Sequence, residues 1–317
     1  MADHWKQKVM TTSPEKILDL LEAFRRSKVM FAAVALGLFE RKPVTDTEVR
    51  LAQACVSLGL LNPDFSPTSD AAQYLKRDSP DSLVGYIDFS NRALWQLWGD
   101  LEGAVQEGTH RWAASGTLFS NFYETDEAMK EYLSGLHGFG RISSPKVASA
   151  FDLSRFKTLV DLGGATGHLS MAIHHRFPEL RCVLFDLPRV IGFARTLASG
   201  IEFAEGDFFA DPLPAADLYA LARILHDWPE EKIRLLLEKV YGALPSGGAL
   251  LIAEKLMDDD QMGPVGAHLQ SLNMLVCAEG RERSFPEYET LLRAAGFTNI
   301  QAKRTGSLVD AILAEKP

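Results

Sequence analysis

From residue 158 onward, short apolar runs alternate with longer amphipathic stretches. Residues 158–162, 181–186, 201–204, 216–225 and 248–256 are rich in Val, Leu, Ile, Phe and Ala, as buried strands are. Residues 168–177, 228–243 and 285–295 carry apolar positions at helical spacing, and Pro178 and Gly296 punctuate two of them. Residues 298–304 and 308–314 flank Thr305-Gly306 and predict a terminal hairpin. Strands alternating with helices predict a mostly parallel sheet covered by helices on both faces.

Before residue 158 the pattern is mostly helical. Ser13 reads as an N-cap with Pro14 at the first helical position, and Ile17, Leu20, Leu21 and Phe24 follow at helical spacing. A second apolar helix is predicted over 29–39 and a third over 51–61. Pro67, Thr68 and Ser69 suit a turn or wing over 65–75. Further helices are predicted over 83–107 and 126–150. No internal repeat or low-complexity tract interrupts the chain.

The 317 residues suffice for one large or two modest domains. A hydrophobic share of 46% and a net charge of -9 suit a soluble protein and argue against nucleic acid as a partner, which would need clustered Lys and Arg. Cys55, Cys182 and Cys277 are odd in number and form no C-x-x-C pair, so neither a disulfide framework nor a zinc site is expected, and a reducing cytoplasmic setting is. The polar first residues show no signal peptide, and the longest apolar run, 30–39, is too short to cross a bilayer.

The sharpest chemistry lies in Asp161-Leu-Gly163-Gly164-Ala-Thr-Gly167, between a predicted strand and helix. Glycines there let a ligand approach the backbone. Asp186 ends the next strand, 19 residues after Gly167, where an acid can bind both hydroxyls of a ribose. A dinucleotide would prefer G-x-G-x-x-G with its pyrophosphate on the helix. Here the order is G-G-x-x-G behind Asp161, an acid suited to the cationic amino-acid end of S-adenosyl-L-methionine. Downstream, Gly206-Asp207-Phe208 stands where Asp207 can accept the adenine amine and Phe208 can pack on the ring.

At the end of the fourth strand comes Arg223-Ile-Leu-His226-Asp227-Trp-Pro229-Glu230. A capping box of Asp227 with Glu230 explains the acids there without chemistry. It leaves His226 unexplained, at the strand end where α/β crevices open. Methyl transfer to a phenol needs its proton removed, and a neutral imidazole can do that. A carboxylate on the other ring nitrogen would fix the tautomer. Glu254 and Glu282 are the candidates, whereas Ser284 and Glu287 read as a capping box.

These pieces resemble the plant-type and hydroxyindole-type small-molecule O-methyltransferases: DLGGATG (161–167), VLFDLP (183–188), EGDFFADPLP (205–214), LARILHDWPEEK (221–232), SLNMLV (271–276), EGRERS (279–284) and GSLVDAILAEK (306–316). The resemblance is dense after residue 151 and thinner before it. It implies a class I methyltransferase, an α/β Rossmann-like fold with a mostly parallel seven-stranded sheet, over 96–317. It implies a helical, winged-helix-like dimerisation domain over 1–95, hence a homodimer. It implies His226 as base with Glu254 and Glu282 in support. Tyr123, Asp161, Gly163, Gly164, Gly167, Asp186, Gly206, Asp207, Phe208 and Arg223 fall at the donor, S-adenosyl-L-methionine, which leaves as S-adenosyl-L-homocysteine. Asp227, Asn273 and Cys277 fall at the acceptor, a small hydroxylated aromatic molecule. No metal, membrane or nucleic acid is implied.

Three departures stand out. The aromatic donor contact expected 17 residues after Tyr123 is Gly140, with Phe139 the nearest substitute. A glutamine of the hydroxyindole enzymes is Cys277. The stretch 40–51 is shorter than the family pattern. They keep open a homologue that binds donor or dimerises without turnover, beside the less favoured NAD-linked oxidoreductase and winged-helix regulator. Phe119, Phe122, Met274 and Trp95 are candidates for the acceptor wall.

Overall fold

The computed structural model describes residues 13–112, 123 and 125–317. The chain divides into compact units at Lys76/Arg77, ahead of the boundary expected near residue 95.

The first unit is helical. Its α1 spans Glu15–Ala35 without a break, because no Gly or Pro punctuates the apolar pattern where two helices were expected. Pro14 rather than Ser13 is the N-cap, and Ser13 Oγ accepts the Glu15 N–H at 3.3 Å. Ile17, Leu20, Leu21 and Phe24 of α1 are exposed. Helix α2, Asp46–Ser57, opens on a capping box of Thr45 with Glu48. Of the turn or wing expected over 65–75, a turn at 63–65 closing one antiparallel bridge, Leu61 to Pro67, is present, and the rest is α3, Ser69–Tyr74, capped by Thr68.

In the second unit, α4 (Val84–Phe89) runs through a π-helical stretch, Ser90–Leu94, into α5 (Trp95–Trp98), and α6 follows over Leu101–Glu107. Sequence reading predicted one helix here. The π-helical stretch and the break at Gly99-Asp100 divide it. Helix α7 spans Asp126–Ala148, capped by Thr125.

The sheet begins with β1 (Thr158–Leu162), followed by α8 (His168–Arg176), β2 (Arg181–Asp186), α9 (Pro188–Ala194), β3 (Glu202–Glu205) and β4 (Leu218–Ala222). A 3-10 turn, Leu225–Asp227, leads to α10 (Glu230–Ala243) and β5 (Ala249–Glu254). Short β6 (Leu256–Met257) pairs with β7 (Arg283–Ser284) outside the main sheet. Between them lies α11, Val265–Cys277, which the periodicity had not marked. Helix α12 (Phe285–Ala294) starts at the expected Ser284/Glu287 box, with Glu287 accepting the Ser284 N–H at 2.8 Å.

The strands order as β3-β2-β1-β4-β5-β9-β8, where β8 is Thr298–Lys303 and β9 is Asp310–Glu315. The first five run parallel, and β9 is antiparallel to both neighbours. Strand β5 is buried throughout, and β1 and β4 are buried in all but one residue each, which explains their continuous apolar runs. All five parallel strands end on one edge of the sheet, and the candidate chemistry collects there.

Candidate functional site

A cavity of about 550 Å³ opens over the carboxyl ends of the parallel strands, walled on its other side by α4 and α7. Gly163 and Gly164 form its floor after β1. Gly163 has φ +67°, and a Cβ there would lie 2.7 Å from Ile224 Cδ1 and 3.0 Å from Phe208 Cε1. Glycine is therefore required for Ile224 and Phe208 to pack this closely on the loop.

Asp186, at the end of β2, holds this loop. Its Oδ2 accepts the Ala165 N–H at 2.8 Å and its Oδ1 the Leu187 N–H at 2.7 Å. Burial pushes its carboxyl up to about 7 against the pull of those two bonds. Each oxygen keeps a lone pair for a ligand hydroxyl. Gly206, Asp207 and Phe208 follow β3 and line the same cavity. Tyr123 and Arg223 line it too. Arg223 holds a left-handed backbone, φ +57°, and its guanidinium stands 5.3 Å from the centre of the Phe139 ring.

Asp161 departs from expectation. It is fully buried under the loop and is not part of the cavity wall. Its Oδ2 accepts the Ser170 hydroxyl at 2.9 Å, and a Cβ on Gly164 would sit 2.5 Å from its Cγ. The acid supports the loop from below instead of facing a ligand. Gly167 likewise stands outside the wall, as the N-cap of α8.

The 3-10 turn presents His226 to the cavity. Its Nδ1 lies 2.6 Å from Glu282 Oε1 and 3.4 Å from Glu254 Oε2, and its Nε2 lies 3.6 Å from Asp227 Oδ1. Glu254 Oε1 accepts the backbone N–H groups of Ile224, Leu225 and His226 at 3.0, 2.9 and 3.4 Å, which fixes the turn. Glu254 and Glu282 are outside the cavity wall, and their contacts with the site run to His226 and its turn. Burial presses the His226 pKa down, but Glu254, Glu282 and Asp227 together outweigh it and raise it to about 9. Burial raises Asp227 to about 6 and Glu254 to about 7.

The expected Asp227/Glu230 capping box does not form. Pro229 is the N-cap of α10, and the Asp227 carboxylate turns toward His226 and the cavity. An imidazole that can take up a proton is a stronger partner for a buried acid than a helix N–H.

Beyond His226 the wall is aromatic and apolar: Tyr86, Phe89, Tyr132, Met274 and Cys277. Asn273 is its polar member, but both ends of its amide are engaged. Oδ1 accepts the Trp98 indole N–H at 2.9 Å, and Nδ2 lies 3.5 Å from Cys277 Sγ. Met274 is thus in the wall and Trp95 is not, while Phe119 and Phe122 lie outside the described residues. Sequence reasoning missed Tyr86, Tyr132, Ser144 and His168. His168 alone carried a local signal, since it directly follows the glycine run.

Comparison with known proteins adds the following. A family model described as an O-methyltransferase domain matches residues 98–298. Acetylserotonin O-methyltransferase of Bos taurus is 39% identical over 92% of this chain and 95% of its own length. A probable bifunctional dTTP/UTP pyrophosphatase/methyltransferase protein of Homo sapiens is 37% identical over 99% of this chain, which spans only 55% of that protein. The crystal structure of human N-acetylserotonin methyltransferase in complex with SAM superposes with a TM-score of 0.90 at 36% identity, covering 97% of this chain and 99% of that one.

Proposed function

The chain belongs to the O-methyltransferase family, with the class I methyltransferase fold, and from that premise we propose that it methylates the hydroxyl of a small aromatic molecule, using His226 as base and S-adenosyl-L-methionine as donor. One observation carries the reading: His226 lines the same cavity as Asp186, Asp207 and Phe208. Proton removal and nucleoside binding can thus meet in one space.

The cavity fits the donor. Asp186 has free lone pairs for ribose hydroxyls, Asp207 and Phe208 offer an acceptor and a ring to adenine, and Arg223 faces the amino-acid end, with Tyr123 in the same wall. Gly163 lets Ile224 and Phe208 pack directly on the loop backbone. The donor supplies a methyl group activated on a sulfonium and leaves as S-adenosyl-L-homocysteine.

This chain's residues then do the rest. The aromatic wall packs the acceptor ring, with Asp227, Asn273 and Cys277 about it. Glu282 holds Nδ1, so Nε2 is the nitrogen left to accept the acceptor's proton. The nearby carboxylates stabilise the imidazolium that results. The three ligand-type atoms of His226, Glu254 and Glu282 lie within 4.8 Å of one another, a spacing that could hold a metal ion. The 2.6 Å contact of His226 Nδ1 with Glu282 Oε1 is hydrogen-bonding distance, which favours proton handling over metal binding.

A homodimer accords with the exposed apolar side chains of α1, which a second copy would cover. No helix among the described residues is long and apolar enough to cross a membrane. The test of function is His226→Ala. It should cut turnover of hydroxylated aromatics by roughly 10²–10⁴-fold while donor affinity, measured by calorimetry, stays unchanged. Turnover near wild type would rule out the base.

A further inference from the structure

Two nitrogen-bearing side chains of the cavity wall matter here for the donors they present. One is Arg223, whose guanidinium forms no ion pair among the described residues and stacks on Phe139. The other is His168, the first residue of α8. The ring of His168 is held from behind: its Nδ1 lies 2.9 Å from Ser144 Oγ, on α7. Its seat is made by Gly140, also on α7, where a Cβ would fall 2.2 Å from the ring's Cγ and 2.4 Å from Nδ1. Any side chain at 140 would push the ring away. Burial, helped by His137 and Arg223, lowers the His168 pKa to about 3, so the ring is neutral. Lys232, the lysine in the wall, is already paired with Glu279 at 2.7 Å, and His226 is engaged with Glu282 and Asp227.

The donor reading leaves one anion to place. Asp186 takes the ribose and Asp207 the adenine, so the amino-acid carboxylate needs cationic or N–H partners elsewhere in the cavity. We propose that His168, aimed by Ser144 and seated on Gly140, donates its Nε2–H to that carboxylate beside Arg223 and makes the site selective for the nucleoside carrying an intact amino acid. In the tautomer this requires, the Ser144 hydroxyl donates to Nδ1 and the ring proton sits on Nε2. A neutral ring suits the place, since it binds the carboxylate without repelling the sulfonium. The inference rests on the proposed donor.

The test compares two probes by calorimetry: S-adenosyl-L-homocysteine, and 5′-methylthioadenosine, which lacks the amino-acid end. Wild type should prefer the first. His168→Ala should weaken it roughly tenfold or more and leave the second within about twofold, as loss of a hydrogen bond to a charged group predicts. Gly140→Ala keeps the imidazole but displaces it, so it should show the same selective loss even if His168→Ala fails to fold. An equal loss for both probes, or none for either, overturns the role of His168. Wild type that binds both probes alike overturns it too, with the donor reading intact. Wild type that binds neither overturns both.

Discussion

Glu282 Oε1 stands 2.6 Å from Nδ1 of His226, with both side chains buried. The other Glu282 oxygen has no hydrogen-bond partner among the described residues. The carboxylate therefore spends its charge on the imidazole. Glu282→Gln keeps the shape and removes that charge. It should lower kcat by roughly 10²-fold, within the range for general-base catalysis, with donor affinity nearly unchanged. Stopped-time assays and calorimetry on the same variant separate the two effects. A loss confined to KM would show that Glu282 serves binding alone.

The raised His226 pKa sets a pH dependence. A base must be unprotonated, and at about 9 most of the ring is charged near neutrality. The proposed kcat/KM should climb between pH 7 and 9, close to tenfold per unit at the lower end, then level. With one carboxylate gone, Glu282→Gln should level at lower pH. A flat wild-type profile would contradict the neutral-imidazole step.

Asp161 offers a stability prediction of opposite sign. Burial raises its folded pKa to about 6 from 3.8, while the Ser170 hydrogen bond lowers it less. The folded state keeps this proton longer than the unfolded chain does. Stability from this group is thus full below about pH 4 and lost as pH rises through 6, by at most about 3 kcal/mol. Asp161→Asn should melt higher than wild type at pH 8 and no higher at pH 4. Equal melting shifts at both values would count against an ionised acid under the loop.

Gly280 is packed against the turn that carries His226. A Cβ there would lie 2.3 Å from the carbonyl oxygen of His226 and 2.7 Å from the Trp228 nitrogen. Backbone atoms cannot swing aside as side chains can, so Gly280→Ala must move the turn. Both melting temperature and kcat should fall, by several degrees and at least tenfold, since misplacement by an ångström is costly in a positioned site. Unchanged kinetics would mean that the turn tolerates the shift.

Much of this was readable in the residues before any coordinates. The glycine loop, Asp186, the Gly206-Asp207-Phe208 turn and His226 announce themselves because each sits at a strand end, where local spacing decides position. Asp161 did not, since being next to the loop leaves open which face of β1 it takes, and its side chain went under Gly164. Asp227 carried two valid local readings, a helix cap and an acid beside a ring, and the buried cluster decided between them. Tyr86, Tyr132 and Ser144 reach the cavity by packing α4 and α7 across it. No pattern within those helices distinguishes a wall residue from an ordinary core residue.

The left-handed backbone of Arg223 sets two demands on one position. Glycine would adopt that conformation at less cost, the strain on a larger residue being about 1 kcal/mol or more. Yet glycine would strip the cavity of a cation. Arg223→Gly should leave the melting temperature equal or higher while donor affinity drops. Stability selection in a laboratory population would accordingly drift away from arginine here, and only a screen that rewards turnover would hold it.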